Sequence, residues 1–330
     1  MKSTIHRAFG LGVDALLIGA LNAVHLRHGR GASTREGFET YLRECDALSR
    51  EEYFAAPAAL RDLRFEPDEM ISWESPVAST FSANERARAI IFRIQNNAPT
   101  IILLHALMSA SDIGYRRWAR HLNSLGWNAA FMHLPFHYSR RPRGYLNGEL
   151  SFTSDLVRTA ETLRQSVIEL RQLLAWFRSN GVTEFGLVGA SYGGWVGSLT
   201  ASLEPDLRFL ALLAPMANAE HAVFDGPTSR TIRRQLRRNG ITRDLMARHA
   251  RLHSPLAGTP RLPGRNVLIA AGEDDRLVIL PDLLALHEAW PESTLLRVSQ
   301  AHFGYRMMID AFDWLTQRGL LQSHVPASAK

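Results

Sequence analysis

The sequence predicts a doubly wound α/β protein, with a mostly parallel central sheet, helices on both faces and a helical cap inserted late in the chain. Three observations carry this. Short apolar, β-branched runs alternate with longer segments of helical periodicity, the pattern of a parallel sheet with crossover helices. The run Glu184-Phe185-Gly186-Leu187-Val188-Gly189-Ala190-Ser191-Tyr192-Gly193-Gly194 ends a strand in Gly-x-Ser-x-Gly and leads into a helix-compatible segment. The chemically interesting side chains fall just past the carboxyl ends of predicted strands, where ligands bind in such sheets.

The elements follow in chain order. Ala8 to Leu26 is mostly apolar but holds Asp14, Asn22 and His25, and its uninterrupted part, Ala15 to Leu21, is far shorter than the roughly 20 residues a spanning helix needs. It reads as an amphipathic helix packed on the body or lying on a membrane surface. A membrane anchor and a cleaved signal are the alternatives, and no small-x-small cleavage site stands out. Arg35 to Leu48 and Glu51 to Arg61 carry apolar residues at helical spacing. Glu69 to Trp73 alternates weakly, and Arg88 to Ile94 is a better strand. Thr100 to Leu104 is continuously apolar after its first residue, as a fully buried parallel strand is. Tyr115 to Leu125 is helical, Asn128 to Met132 is the next strand, and Thr153 to Ser179 is a long amphipathic helix. Phe185 to Val188, Phe209 to Leu213, Asn266 to Ala271 and Thr294 to Val298 are the later strands. Helices are expected at Trp195 to Leu203, Pro281 to Ala289 and Gly304 to Thr316.

Composition is that of a globular chain: 330 residues, 46% hydrophobic and 21% charged. The formal charge is +6, from 38 basic and 32 acidic residues, and the only lysines are Lys2 and Lys330. No basic stretch carries the interleaved aromatics of a nucleic-acid groove, so a nucleic-acid partner is not expected. The single cysteine, Cys45, excludes an internal disulfide and a cysteine-rich metal site, and fits a reducing, cytoplasmic setting. No metal ligand set is expected.

A serine hydroxyl is a weak nucleophile unless a base adjoins it, and the base needs an acid to fix its tautomer. At Gly189-x-Ser191-x-Gly193 a sharp strand-to-helix turn exposes the Ser191 hydroxyl, and both flanking positions are glycine because side chains there collide across the turn. The strand 266–271 runs into Gly272-Glu273-Asp274-Asp275-Arg276-Leu277-Val278, where Gly-x-x-Asp-x-x-Val selects Asp275 as the acid, with Glu273 and Asp274 as rivals. The strand 294–298 runs into Ser299-Gln300-Ala301-His302, which puts His302 where the general base belongs. The chain order Ser, acid, His is that of the strand–elbow–helix hydrolases. An oxyanion hole needs two backbone N–H groups. One is expected from Tyr192 and the other from the loop after 100–104, with Leu107 the first choice and Met108 the second.

These motifs resemble the α/β-hydrolase superfamily in order and spacing. Four stretches are similar to its abhydrolase domain-containing protein 18 branch: His105 through Tyr115-Arg116-Arg117; Asn128 through Pro135-Phe136-His137-Tyr138-Ser139-Arg140-Arg141-Pro142; Gly189 to Gly194; and Glu273-Asp274-Asp275 through Trp290-Pro291 to His302. The resemblance spans about residues 65 to 315. It implies hydrolysis at an acyl carbonyl with no metal and no organic cofactor, and a small-molecule or lipid-type ester as substrate. The family's usual His-Gly in the oxyanion loop is His105-Ala106 here, which narrows the hole. A thioesterase or acyltransferase on the same three residues, and a catalytically silent binding protein on the same fold, are the alternatives.

The expected organisation is an N-terminal helical segment (1–64), a hydrolase domain (65–318) with a cap insert at about 217–264, and a tail (319–330). Arg140 and Arg141 in the segment 136–150, and Arg234 in the basic cap stretch 231–238, are candidates for holding an anionic headgroup. The apolar N-terminal segment allows peripheral membrane contact. Oligomeric state is not legible.

Overall fold

The computed structural model describes residues 2–56 and 59–322, with side chains from residue 12 onward. The expected tail at 319–330 therefore lies outside the described residues from 323 on.

The chain opens with helices α1 (Lys2–His25), α2 (Arg35–Asp46) and α3 (Arg50–Tyr53). Strands β1 (Arg64–Phe65), β2 (Met70–Glu74), β3 (Arg86–Phe92) and β4 (Thr100–Leu104) follow, then α4 (Ile113–Ser124), β5 (Asn128–His133), α5 (Leu156–Ser179), β6 (Phe185–Ala190), α6 (Tyr192–Ala201) and β7 (Leu207–Leu213). The connection from β7 to β8 (Val267–Gly272) carries α7 (Ala219–Phe224), α8 (Arg230–Arg238), α9 (Arg243–Ala247) and α10 (Ala250–His253). The chain closes with α11 (Leu280–Ala289), β9 (Thr294–Val298) and α12 (Arg306–Gln317).

One sheet has the order β1-β2-β3-β5-β4-β6-β7-β8-β9. Pairing is antiparallel from β1 to β5 and parallel from β5 to β9. Every residue of β4 is buried, because the strand sits between β5 and β6 with helices over both faces. That placement explains its unbroken apolar run. The carboxyl ends of β4, β6, β8 and β9 thus share one edge of the sheet.

The helix expected over 51–61 is much shorter. It ends at Tyr53 after a capping box between Ser49 and Glu52, and Phe54 is fully buried just beyond it. Beyond Phe54 the described residues are exposed or half-buried, Ala55, Ala59 and Arg61 among the exposed ones, so the apolar spacing there packs no helical face. α1 packs on the insert between β7 and β8: the Asn22 side-chain amide donates to Pro227 O at 2.8 Å, and Asn22 Oδ1 accepts from Thr231 N at 2.9 Å. Its other face leaves Ala15, Leu16, Gly19, Ala20 and Ala23 exposed. Among the described residues, no helix is long and apolar enough to cross a membrane.

Arg140 is a correction. Its side chain is completely buried and grips Glu169 of α5 with both terminal nitrogens, at 2.6 and 2.9 Å, while Nη1 also donates to His133 O at 3.1 Å. Gln165 Nε2 donates to the same carboxylate at 2.9 Å. This residue ties the segment after β5 to α5, and its guanidinium, including the unpartnered Nε, is buried out of reach of a headgroup. Removing one member of a buried pair strands the other charge, at a cost of about 3–5 kcal/mol, whereas replacing both by apolar residues is often neutral. Arg140→Met is expected to lose stability of that order in chemical denaturation, and Arg140→Met with Glu169→Leu to recover most of it.

Candidate active site

The elbow is built by close approach. Ser191, between β6 and α6, has φ 50° and ψ −110°, a region L-residues avoid unless the surroundings enforce it. A Cβ on Gly189 would lie 2.5 Å from Gly193 O, and one on Gly193 would lie 2.6 Å from His105 O. Neither position accepts a side chain without displacing backbone. Ser191 N donates to Leu213 O at 2.8 Å, and Met216 N to Ser191 O at 3.2 Å, so β7 and its following loop hold the strained turn.

Three predicted side chains converge there. Ser191 Oγ lies 3.1 Å from His302 Nε2, and His302 Nδ1 lies 2.7 Å from Asp275 Oδ2. The other Asp275 oxygen accepts from Leu277 N at 2.8 Å and Val278 N at 2.9 Å. That satisfies the buried carboxylate and aims it at the imidazole. Of the rivals, Glu273 pairs with Arg297 at the surface at 3.0 Å, and the Asp274 backbone N–H donates to Gln300 O at 3.1 Å, tying the loop after β8 to the loop after β9. Gln300, which the sequence reading did not single out, caps α12 by accepting from Arg306 N and Met307 N at 2.9 and 3.3 Å. Among the described residues no cluster of His, Cys, Asp and Glu is arranged to hold a metal.

The loop after β4, which carries Leu107 and Met108, is held by two histidines that form no hydrogen bond with Ser191 among the described residues. His105 Nε2 accepts from Leu134 N at 3.1 Å and Nδ1 donates to Ala106 O at 3.0 Å. His137 Nδ1 donates to Pro135 O at 2.8 Å, and its Nε2 accepts from Met108 N at 3.3 Å. Met108, with φ 53°, has therefore committed the N–H that the alternative assignment required. Among the described residues nothing accepts from Leu107 N–H. Tyr192 is the first residue of α6, so its N–H stands at the open end of the helix, where no intrahelical partner exists. Burial drives His137 down to about 4 and holds His105 well below its ordinary value, so both rings stay neutral with fixed tautomers. Of the other candidates, Arg141 and Arg234 are exposed, and no contact joins either to Ser191, Asp275 or His302 among the described residues. Asp14, from the N-terminal helix, reaches the site: its Oδ2 accepts from His302 N at 3.4 Å. The only signal in the sequence was a carboxylate interrupting an apolar run.

The family described as Alpha/beta hydrolase domain containing 18 matches residues 92–249. An acetyl xylan esterase from Paenibacillus sp. R4 superposes with a TM-score of 0.56 at 14% identity, covering 87% of this chain and 96% of that one. The chain has the α/β-hydrolase fold. It is similar to that family over the matched residues. A structure from Agrobacterium vitis S4 shares the fold, with a TM-score of 0.50 at 19% identity over 70% of this chain and 92% of that one. Uncharacterized protein Rv2627c of Mycobacterium tuberculosis is 29% identical over 256 residues, which is 74% of this chain. The match spans 60% of that relative's length. In this fold β6 leads into the turn that carries Ser191, and β8 and β9 lead into the loops that carry Asp275 and His302.

Two pH effects follow. Burial alone would lower the His302 value, but the Asp275 carboxylate, by charge and by hydrogen bond, and Asp14 by charge, raise it above 6.5. A base must be neutral to accept a proton, so the rate at which Ser191 reacts with a neutral phosphonylating reagent should fall as pH drops through a midpoint above 6.5. A midpoint well below it would contradict this electrostatic balance. Separately, His133 and His137 are held down at about 3 and about 4 by burial. The unfolded chain takes up protons at these rings from about pH 6.5 downward while the folded chain does not. Thermal stability at pH 5 should therefore be lower than at pH 7, with His137→Phe reducing the difference.

Proposed function

We propose that this protein is a serine hydrolase that cleaves a carboxylic ester of lipid type through an acyl-enzyme intermediate. The observation that carries the reading is the unbroken hydrogen-bond line from Ser191 Oγ through His302 to Asp275, at 3.1 and 2.7 Å.

In the proposed first step His302 Nε2 takes the Ser191 proton while Oγ bonds to the ester carbonyl carbon. The carbonyl π pair moves onto oxygen, facing the N–H groups of Leu107 and Tyr192. The tetrahedral intermediate collapses, the C–O bond to the alcohol breaks, and His302 returns its proton to the departing alkoxide. Water then attacks the acyl-enzyme by the same route, releasing the acid and regenerating Ser191. Losing one oxyanion donor typically costs about 3 kcal/mol of barrier lowering.

A lipid-type substrate is supported by the apolar rim. Phe303, next to His302, is 40% exposed, Tyr305 is 79% exposed, and Leu16 on the outward face of α1 is 76% exposed. Such a face suits contact with a lipid surface.

A fluorophosphonate probe should label the wild-type chain at Ser191, and Ser191→Ala should remove both the label and ester turnover, by a factor of about 10³ or more. Long-chain acyl esters should be turned over faster than acetyl esters of the same alcohol. Labelling at another residue, or turnover intact in Ser191→Ala, contradicts the proposal. Transfer of the acyl group to an added thiol or alcohol in preference to water would move the assignment to acyl transfer.

A further inference from the structure

Asp14 is a carboxylate supplied to the candidate site by an element outside the sheet's strand-end loops. Its side chain is fully buried. Oδ2 accepts from His302 N at 3.4 Å, and the backbone N–H of Arg276 faces the same carboxylate. Asp14 thus touches both the loop that carries the acid and the loop that carries the base. Oδ1 is buried with no partner, and among the described residues no Arg, Lys or His side chain forms an ion pair with it. A buried carboxylate without a cationic partner is costly in a purely structural position.

The packing of α1 does not require it. The helix and the segment after it are pinned elsewhere by Asn22 to Pro227 and Thr231, by Gln235 Nε2 to His25 O at 2.9 Å, and by His28 Nε2 to Glu149 at 3.0 Å. The charged groups facing His302 are Asp275 from the loop after β8 and Asp14 from α1, while Ser191 presents its hydroxyl from the elbow.

We infer that Asp14 is a positioning residue: its carboxylate holds the His302 loop in register with Ser191 and adds a second negative charge that steadies the imidazolium formed when His302 takes the Ser191 proton. The inference rests on the proposed hydrolase reading for its catalytic meaning, but its electrostatic content is measurable without turnover. Burial lifts the Asp14 value, and the His302 N–H and the His302 charge oppose that lift, so protonating His302 and ionising Asp14 favour each other.

The test is a side-chain NMR titration of His302 in the full chain, run beside the pH dependence of fluorophosphonate labelling. Asp14→Asn and Asp14→Ser are compared with Asn22→Ala, which loosens α1 without touching the site. Removing the charge should lower the His302 midpoint and shift the acid limb of labelling by the same amount in the same direction, with Asn22→Ala moving neither. If His302 shifts but the wild type is never labelled at Ser191, Asp14 keeps its assigned partner and the hydrolase reading falls. If labelling is normal and the His302 midpoint is unmoved in both Asp14 variants, the inference is overturned and the hydrolase reading stands. Failure of both variants to fold would also overturn it, because Asp14 would then be part of the framework.

Discussion

The site depends on a steric constraint: the first turn of α6 lies against the end of β4. The Gly193 Cα is so close to His105 O that a Cβ there would sit 2.6 Å from it, and the Gly189 Cα is equally close to Gly193 O. These contacts leave the chain no relaxed route from β6 into α6. Ser191 takes the strain, with φ 50°, and its hydroxyl is driven out over the carboxyl edge of the sheet. The same contact brings the loop after β4 alongside the start of α6, so Ser191 and the candidate oxyanion donors are placed together by one packing event.

The other two members arrive by parallel register. β8 pairs with both β7 and β9, so the loops after β8 and β9 leave the sheet side by side on the edge that carries the elbow. Their mutual distance is fixed by backbone bonds between the loops and by Gln300, which anchors the histidine loop to α12. Asp275 has its second oxygen saturated by two backbone N–H groups, leaving one direction in which to accept. Preorganisation of this kind lets a buried imidazole gain a proton without further reorganisation of its surroundings.

Much of this was legible in the sequence because it rests on short-range rules. The buried parallel strand β4 reads as an unbroken apolar run, and the elbow reads as two glycines flanking a serine. The placement of Asp275 and His302 follows from strand ends. What was not legible depends on contacts distant in sequence. Arg140 sits in a basic stretch that looks solvent-facing, and only the approach of α5, which carries Glu169, makes it a buried tie. His137 and Met108 meet across two loops. Asp14 and His302 are separated by almost the whole chain, and nothing local to either predicts their contact. The end of α3 at Tyr53, where periodicity continued to 61, is likewise set by burial of Phe54 against the body.

In the proposed mechanism Ser191, His302 and Asp275 act as one proton-passing unit facing the N–H groups of Leu107 and Tyr192. A crystal structure of the chain reacted with a phosphonate tests it most directly. The account predicts phosphorus bonded to Ser191 Oγ, with the non-bridging oxygen about 3 Å from both of those nitrogens. An adduct on another residue, or an oxygen turned away from both N–H groups with His302 displaced from Oγ, would contradict it.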